Sequence, residues 1–328
     1  MKKTIFLLAF VGLLCSCGTT KKQVEAQPVV NIEFSADSAY QFCAAQCSYG
    51  PRVMNSEAHE QCGKWIQQKF EQYGYQVELQ KADLKGYDGT ILKSTNIIAK
   101  APAQKEQTGT ILVCAHWDSR PWADNDPDSA NWRKPVMAAN DGASGVAVML
   151  ELARLIQQHD SLKVAVDFIC FDAEDWGIPQ WDEKGDGSNS WALGAQYWAK
   201  AFKAQPSAKK YQYAILLDMV GGQGARFYQE AYSMQKAGSV VEKVWNSANA
   251  AGYGSFFPKQ EGSYVTDDHV PVNETAQIPC IDIINHYPDC PQGSFGPTWH
   301  TVNDDMQHID KNTLQAVGQT LVQVLFSE

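Results

Sequence analysis

Four short stretches of this 328-residue chain are apolar at nearly every position: residues 111–115, 164–171, 213–217 and 278–284. Continuous rather than alternating apolarity marks strands covered on both faces. Residues 75–80 and 94–99 read as two further strands. Between and around them the apolar spacing changes to three and four. Cys62, Ile66 and Phe70 share one helical face within 59–73, and Val146, Met149, Leu150, Ala153 and Ile156 another. Val240, Val244 and Ala248 mark a third helix, and residues 35–47 and 312–326 complete the set. Strands alternating with helices predict an α/β fold: a mostly parallel, twisted central sheet flanked by helices on both faces.

The N-terminus has a different pattern. Lys2 and Lys3 precede an apolar run, 5–14, too short to span a bilayer and ending in small residues, as in a secretory signal. Leu14-Cys15-Ser16-Cys17 resembles a bacterial lipobox with cleavage before Cys17. The expected organisation is a signal peptide at 1–16, a lipid-anchored tether at 17–34 and a single catalytic domain at 35–328. This implies an exported, periplasmic lipoprotein attached to the membrane through acylated Cys17. The domain has no internal repeat or low-complexity tract, and a monomer is expected. A net charge of −10 argues against nucleic acid as a partner. Besides Cys17, seven cysteines remain after cleavage, with no CxxC pair, so a cysteine zinc site is not expected. Cys114 and Cys170 sit in apolar strands, where a buried free thiol is the usual outcome.

Candidate chemistry follows the strands. His116-Trp-Asp118 comes after the first apolar run, Asp172-Ala-Glu174-Asp175 after the second and Asp218 after the third. Open α/β sheets place their sites at the carboxyl ends of strands, so three strands deliver acids and an imidazole to one edge. Asp141 opens the helix that begins with Gly142-Ala-Ser-Gly145, and His300 lies in Thr298-Trp-His-Thr301. Singly, each has an ordinary structural role: a helix N-terminal acid, a polar loop residue, a solvated turn. Together they crowd acids without compensating charge, which a divalent cation would relieve. Carboxylate and imidazole without thiolate suit zinc in an open, catalytic site. Glu174 and Asp175 are adjacent and project differently, so one can bind metal while the other moves protons.

The motifs His116-x-Asp118, Asn140-Asp-Gly-Ala-Ser-Gly145, Glu174-Asp175, Asp218 and His300-Thr301 resemble those of the M28 zinc aminopeptidase superfamily. His116-Trp-Asp-Ser119, Leu217-Asp-Met-Val-Gly221, Asp267-Asp-His-Val-Pro271 and Trp299-His-Thr301 look more closely like the animal-type glutaminyl cyclases. That resemblance implies one zinc held by Asp141, Asp175 and His300. Glu174 would be the general acid–base, with Asp218 and Asp268 as its hydrogen-bonded partners. Trp299 would pack on the substrate's methylenes, and Asp282 would be a further substrate-side residue. The implied substrates are peptides and proteins with N-terminal glutamine, converted to pyroglutamate with loss of ammonia. The chain departs from the animal enzymes twice, with Asp175 in place of Glu and Asp282 in place of His.

Two other functions fit parts of the pattern. A di-zinc M28-type aminopeptidase would use His116 and Asp218, with Asp141 as the bridge. A binding module that keeps the fold without catalysis is opposed by the intact Glu174 and ligand set. The loop 176–191 carries three tryptophans, which either line a substrate mouth or pack the loop onto the domain.

Overall fold

The computed structural model describes residues 28–102, 107–159, 161–182, 187–205 and 210–328. The expected signal peptide and the first part of the tether, including Cys17, lie outside the described residues. Thirteen elements follow in the order α1 (Ala36–Cys47), α2 (Glu57–Gln72), β1 (Gln76–Lys85), β2 (Ile91–Lys100), β3 (Thr110–His116), α3 (Ala143–Gln158), β4 (Ala165–Phe171), α4 (Leu193–Lys203), β5 (Ala214–Asp218), α5 (Ala231–Ala250), α6 (His269–Glu274), β6 (Cys280–Ile284) and α7 (Lys311–Phe326). The strands form one sheet in the order β1-β2-β4-β3-β5-β6. β4, β3, β5 and β6 run parallel, while β2 and β1 add an antiparallel wing.

The continuous apolar runs are explained by two cores, one on each face of the sheet. Ile111, Val113 and Ala115 of β3 point into a large core with residues of α1, α2, α3, α5 and α7. Leu112 and Cys114 point to the other face, against Trp198 and Ala199 of α4 and Val272 of α6. Because successive strand side chains alternate sides, a strand with cover on both must be apolar throughout. α4 and α6 were not legible from periodicity. α4 starts from Ala192 in left-handed backbone, and α6 has six residues and contains Pro271. The seven described cysteines are all free, and Cys114 and Cys170 are buried.

Residues 28–36 do not behave as a tether. Three glutamines one turn apart on α7 bind their backbone: Gln323 accepts from Val30 N and donates to Pro28 O, Gln319 accepts from Phe34 N and donates to Ile32 O, and Gln315 accepts from Ala36 N. The side-chain amides act as a one-sided strand ladder along the helix. The domain therefore begins by residue 28, not 35.

α3 matters most for the site, because Asp141 lies just before it. Gly145 allows α3 to sit against the strands: a Cβ there would stand 2.3 Å from Leu217 O and 2.8 Å from Ala115 Cβ. Both obstacles are on the sheet, so neither yields cheaply. Gly145→Ala is expected to destabilise the fold by about 1–3 kcal/mol, read as a lower urea midpoint.

Candidate active site

The acids and histidines gather at the carboxyl edge of the parallel strands, as the strand ends predict. His116 is the last residue of β3 and Asp218 the last of β5; Glu174 and Asp175 follow β4. Sharp turns deliver them. Ala138, Ala173, Met219 and His300 all adopt left-handed backbone, uncommon for residues with a Cβ. Gly142 (φ 105°) does so without penalty, and there a Cβ would meet Asp118 O at 2.8 Å. Buried Arg52 ties the turn at Ala138 to the end of β3, donating to Trp117 O, Met137 O and Ala138 O.

Two triads share Asp141. In one, His300 Nε2 lies 3.2 Å from Asp175 Oδ1 and 3.6 Å from Asp141 Oδ2. In the other, His116 Nε2 lies 3.0 Å from Asp141 Oδ1 and 3.3 Å from Asp218 Oδ1. In each triad one ligand atom per residue comes within 4.8 Å of the others, and all are buried. The Asp141–Asp175–His300 set fits a zinc ion on its own geometry. Its donors are oxygen and nitrogen, and Asp175 Oδ2 is buried with no hydrogen-bond partner.

A further shell surrounds the ligands: Asp118 and Asp172 were among the strand-end acids of the sequence, whereas Asp124, Asp304 and Arg120 were not anticipated from it. Asp118 receives Glu174 N at 3.0 Å and Asp175 N at 3.2 Å, clamping the loop that presents both. Asp304 receives Asn140 N and Asp141 N at 2.7 and 3.0 Å. Asp124 approaches His300 Nδ1 at 3.4 Å. Arg120 holds Asp124 with two 2.7 Å bonds and reaches Asp175 Oδ1 at 3.2 Å. The acids therefore do have one fixed counter-charge, contrary to the sequence expectation. Asp172 is drawn out of the cluster, since its carboxylate accepts from His59 Nε2 at 2.8 Å and from Thr95 N.

A cavity of about 310 Å³ opens onto the cluster, lined by Asp141, Glu174, Asp218, Asp267 and His300 beneath Trp191, Phe295 and Trp299. Trp299 stacks on His300 at 3.8 Å, and Trp191 lies parallel to the same ring at 6.0 Å. Of the three loop tryptophans, Trp191 lines the mouth, while Trp176 and Trp181 pack around Trp122. A larger hollow of about 630 Å³ lies between α2 and the β1–β2 wing, and among the described residues no candidate metal triad lines it.

Two residues suggested by resemblance lie elsewhere than expected. Asp268 is fully buried with neither oxygen hydrogen-bonded, and its neighbour Asp267 takes the pocket-facing place. Asp282, in the middle of β6, is also fully buried and lies outside the lining of the cavity. Asp218 does line the cavity, but its hydrogen bond is to His116.

The electrostatics follow from burial. Desolvation, reinforced chiefly by Asp267, raises Glu174 well above the ordinary glutamate range. Desolvation likewise pushes Asp218 up to about 6 and Asp267 up to about 7. Burial alone would raise Asp124 too, but the Arg120 bonds and His300 outweigh it and hold that carboxyl well below its usual range. Asp124 is thus an ionised partner for the ring nitrogen of His300 that faces away from the triad.

A sequence profile for peptidase family M28 matches residues 96–325. The chain is similar to Bacteroides thetaiotaomicron glutaminyl cyclase bound to N-acetylhistamine, with 46% identity and a TM-score of 0.85 over 91% of this chain and 100% of that one. It is similar to Tannerella forsythia glutaminyl cyclase at 44% identity and TM-score 0.85, over 90% and 99%. A leucine aminopeptidase precursor from Bacteroides thetaiotaomicron is similar to the same degree, at 46% and 0.85, over 92% and 100%. Aminopeptidase YwaD of Bacillus subtilis is 29% identical over 256 residues, 76% of this chain; the chain spans 48% of that protein, about half its length.

The Asp124–His300 pair yields a prediction. Carboxylates that orient a ligating histidine typically contribute 10–100-fold to metal affinity. Asp124→Asn is expected to weaken zinc binding by about that factor, measured by competition with a chelator, with the fold retained by circular dichroism.

Proposed function

We infer that this chain, which belongs to peptidase family M28, is a glutaminyl-peptide cyclotransferase. It would convert the N-terminal glutamine of peptides and proteins to pyroglutamate with release of ammonia. The observation that carries this reading is the small aromatic-walled cavity ending on Glu174 and the Asp141–Asp175–His300 triad. At about 310 Å³ it suits one flexible side chain and little water. End-to-end similarity to two bacterial glutaminyl cyclases supports the same substrate class.

One zinc per chain, held by Asp141, Asp175 and His300, would supply a Lewis acid for the γ-carboxamide oxygen. The rest is work for side chains. Trp191, Phe295 and Trp299 enclose the glutamine methylenes, which restricts the chain to folded-back conformers and lowers the entropy of ring closure. Glu174 accepts a proton from the α-amine as its nitrogen bonds to the carboxamide carbon. The same carboxyl returns that proton to the amide nitrogen as the old carbon–nitrogen bond breaks. Ammonia leaves and no water is consumed, so the acyl group passes from ammonia to the substrate's own amine, an acyltransferase reaction. Burial poises Glu174 for this exchange by raising its proton affinity. Asp267 and Asp218, both in the cavity lining, flank it; Asp267 takes the part that resemblance had assigned to Asp268.

A second reading is favoured by one observation. His116, Asp141 and Asp218 form another buried triad, which in a two-zinc aminopeptidase would hold the second ion. The two readings separate with a Gln-initiated peptide: ammonia release with loss of the free amine supports cyclisation, and peptide-bond cleavage supports the aminopeptidase. Two zincs per chain at full activity would sink the single-metal cyclase. Glu174→Gln should lower kcat by about 10²–10⁴-fold with zinc content unchanged; metal loss in that variant would overturn its assigned role.

We further propose that the chain is an exported monomer held at the periplasmic membrane through acylated Cys17, with no role for nucleic acid. The lipobox-like Leu14–Cys17 segment and the net charge of −10 support this. Cys17→Ser should abolish fatty-acid labelling and move the protein to the soluble fraction of cells.

A further inference from the structure

Behind the cavity lies a second cluster, of which only Asp267 enters the chemistry above. Asp267, Asp268 and His269 lead into α6, and Asp282 faces them from the middle of β6. Ligand atoms of Asp267, His269 and Asp282 lie within 4.8 Å of one another. The four residues contain seven of the thirteen buried side-chain atoms in the described structure that lack a hydrogen-bond partner: Asp267 Oδ2, both oxygens of Asp268 and of Asp282, and both ring nitrogens of His269.

Asp282 is the extreme member. It is 0% exposed, and its carboxyl receives no hydrogen bond. Its surroundings on every side are acids, with one imidazole. From the α6 end come Asp267 and His269, whose Nδ1 stands 3.9 Å from Asp282 Oδ2. From β5 comes Asp218, from the start of α5 Glu230, and from its own strand Cys280. Glu230 Oε2 stands 3.4 Å from His269 Nε2 on the imidazole's other side, so that ring lies between two carboxylates rather than being dedicated to Asp282. Ser233 does not help the carboxyl either, because its hydroxyl accepts from Asp282 N and donates to Glu230. An ionised Asp282 would be stripped of water with no donor in its place, among like charges. A neutral Asp282 has an O–H to donate, and a carboxylate oxygen of Asp267 lies within 4.8 Å of its own.

We propose that Asp282 is a protonated acid in the folded protein and a positioning residue: it donates a hydrogen bond to the cluster behind the cavity and so fixes Asp267, which faces Glu174. Burial and the surrounding acids, Asp267 first, act in the same direction on its proton affinity. This accounts for the aspartate that stands where animal-type glutaminyl cyclases carry a histidine. A neutral carboxylic acid and a neutral imidazole both offer one donor and one acceptor without adding charge.

The first test is on stability of the zinc-loaded chain and needs no assumption about the reaction. An acid ionised in the unfolded chain but neutral in the folded one makes folding take up a proton. Stability is then lost as pH rises from the unfolded acid's pKa, near 4, towards the raised folded value. Asn has the shape of the neutral acid and takes up no proton. Asp282→Asn should therefore unfold at higher urea than the parent at pH 8. The ratio of the two folding constants should change by about tenfold per pH unit through the acidic range. A variant less stable than the parent at pH 8, or a ratio independent of pH, would show Asp282 to be ionised.

The positioning role rests on the cyclase reading and has its own measurement. Asp282→Leu keeps the bulk but has no donor, and should lower kcat by about tenfold or more with KM changed less than twofold. Asn at the same position should recover part of that loss. Equal losses in Asn and Leu would overturn the donor role, whereas an absence of ammonia release by the parent enzyme would instead overturn the cyclase reading. If the Leu variant does not fold, the kcat of the Asn variant below and above neutral pH decides: the parent should lose activity on the alkaline side that the Asn variant keeps.

Discussion

Burial of like charge at one edge of the sheet is the constraint on which this molecule depends. Asp118, Asp124, Asp141, Glu174, Asp175, Asp218, Asp267, Asp268, Asp282 and Asp304 are all less than a tenth exposed. No fold tolerates so many desolvated carboxylates unless each is given a donor, a counter-charge or a proton. The structure uses all three. Backbone N–H groups serve Asp118 and Asp304, Arg120 serves Asp124 and Asp175, and histidines bridge what remains. What is left uncompensated marks where a metal ion and protons belong.

The same constraint divides labour between two neighbours in sequence. Burial raises the proton affinity of Asp175, but Arg120 and His300, both positively chargeable, work against it, and its second oxygen is left without a partner and so free to ligate. Glu174 lines the cavity beside Asp267, where burial and that neighbouring acid favour its neutral form. The Asp118 clamp on both backbone amides keeps this division rigid, since a rotation of that loop would exchange the environments. Arg120 and His300 both meet Asp175 Oδ1 at 3.2 Å and so fix its short arm.

Rigidity at the edge comes from the layers behind it. α3 is set down on β3 and β5 at Gly145, Arg52 ties the turn after β3 to the segment before Asp141, and the glutamines of α7 bind the N-terminal segment to the same face. The N-terminal boundary expected at residue 35 was late because a segment held by side-chain amides has no apolar period to betray it.

Much of the plan was legible in the chain by itself. Strands buried on both faces must be apolar throughout, so β3, β4, β5 and β6 stood out, and the residues that end them necessarily share an edge. Asp141, Glu174, Asp175, Asp218 and His300 could therefore be named before any coordinates, although choosing the ligands among them rested on resemblance. What the chain alone could not decide is which of two adjacent acids turns inward. Asp267 and Asp268 differ by a single residue at an irregular entry to a short helix, where no periodicity assigns a face. Nor could it supply Asp124, Asp304 and Arg120, whose roles depend on loops far apart in sequence meeting at the cluster. Sequence period reports the faces of regular elements; the protonation and partners of a buried carboxylate depend on everything within a few ångströms, and only the folded chain brings that together.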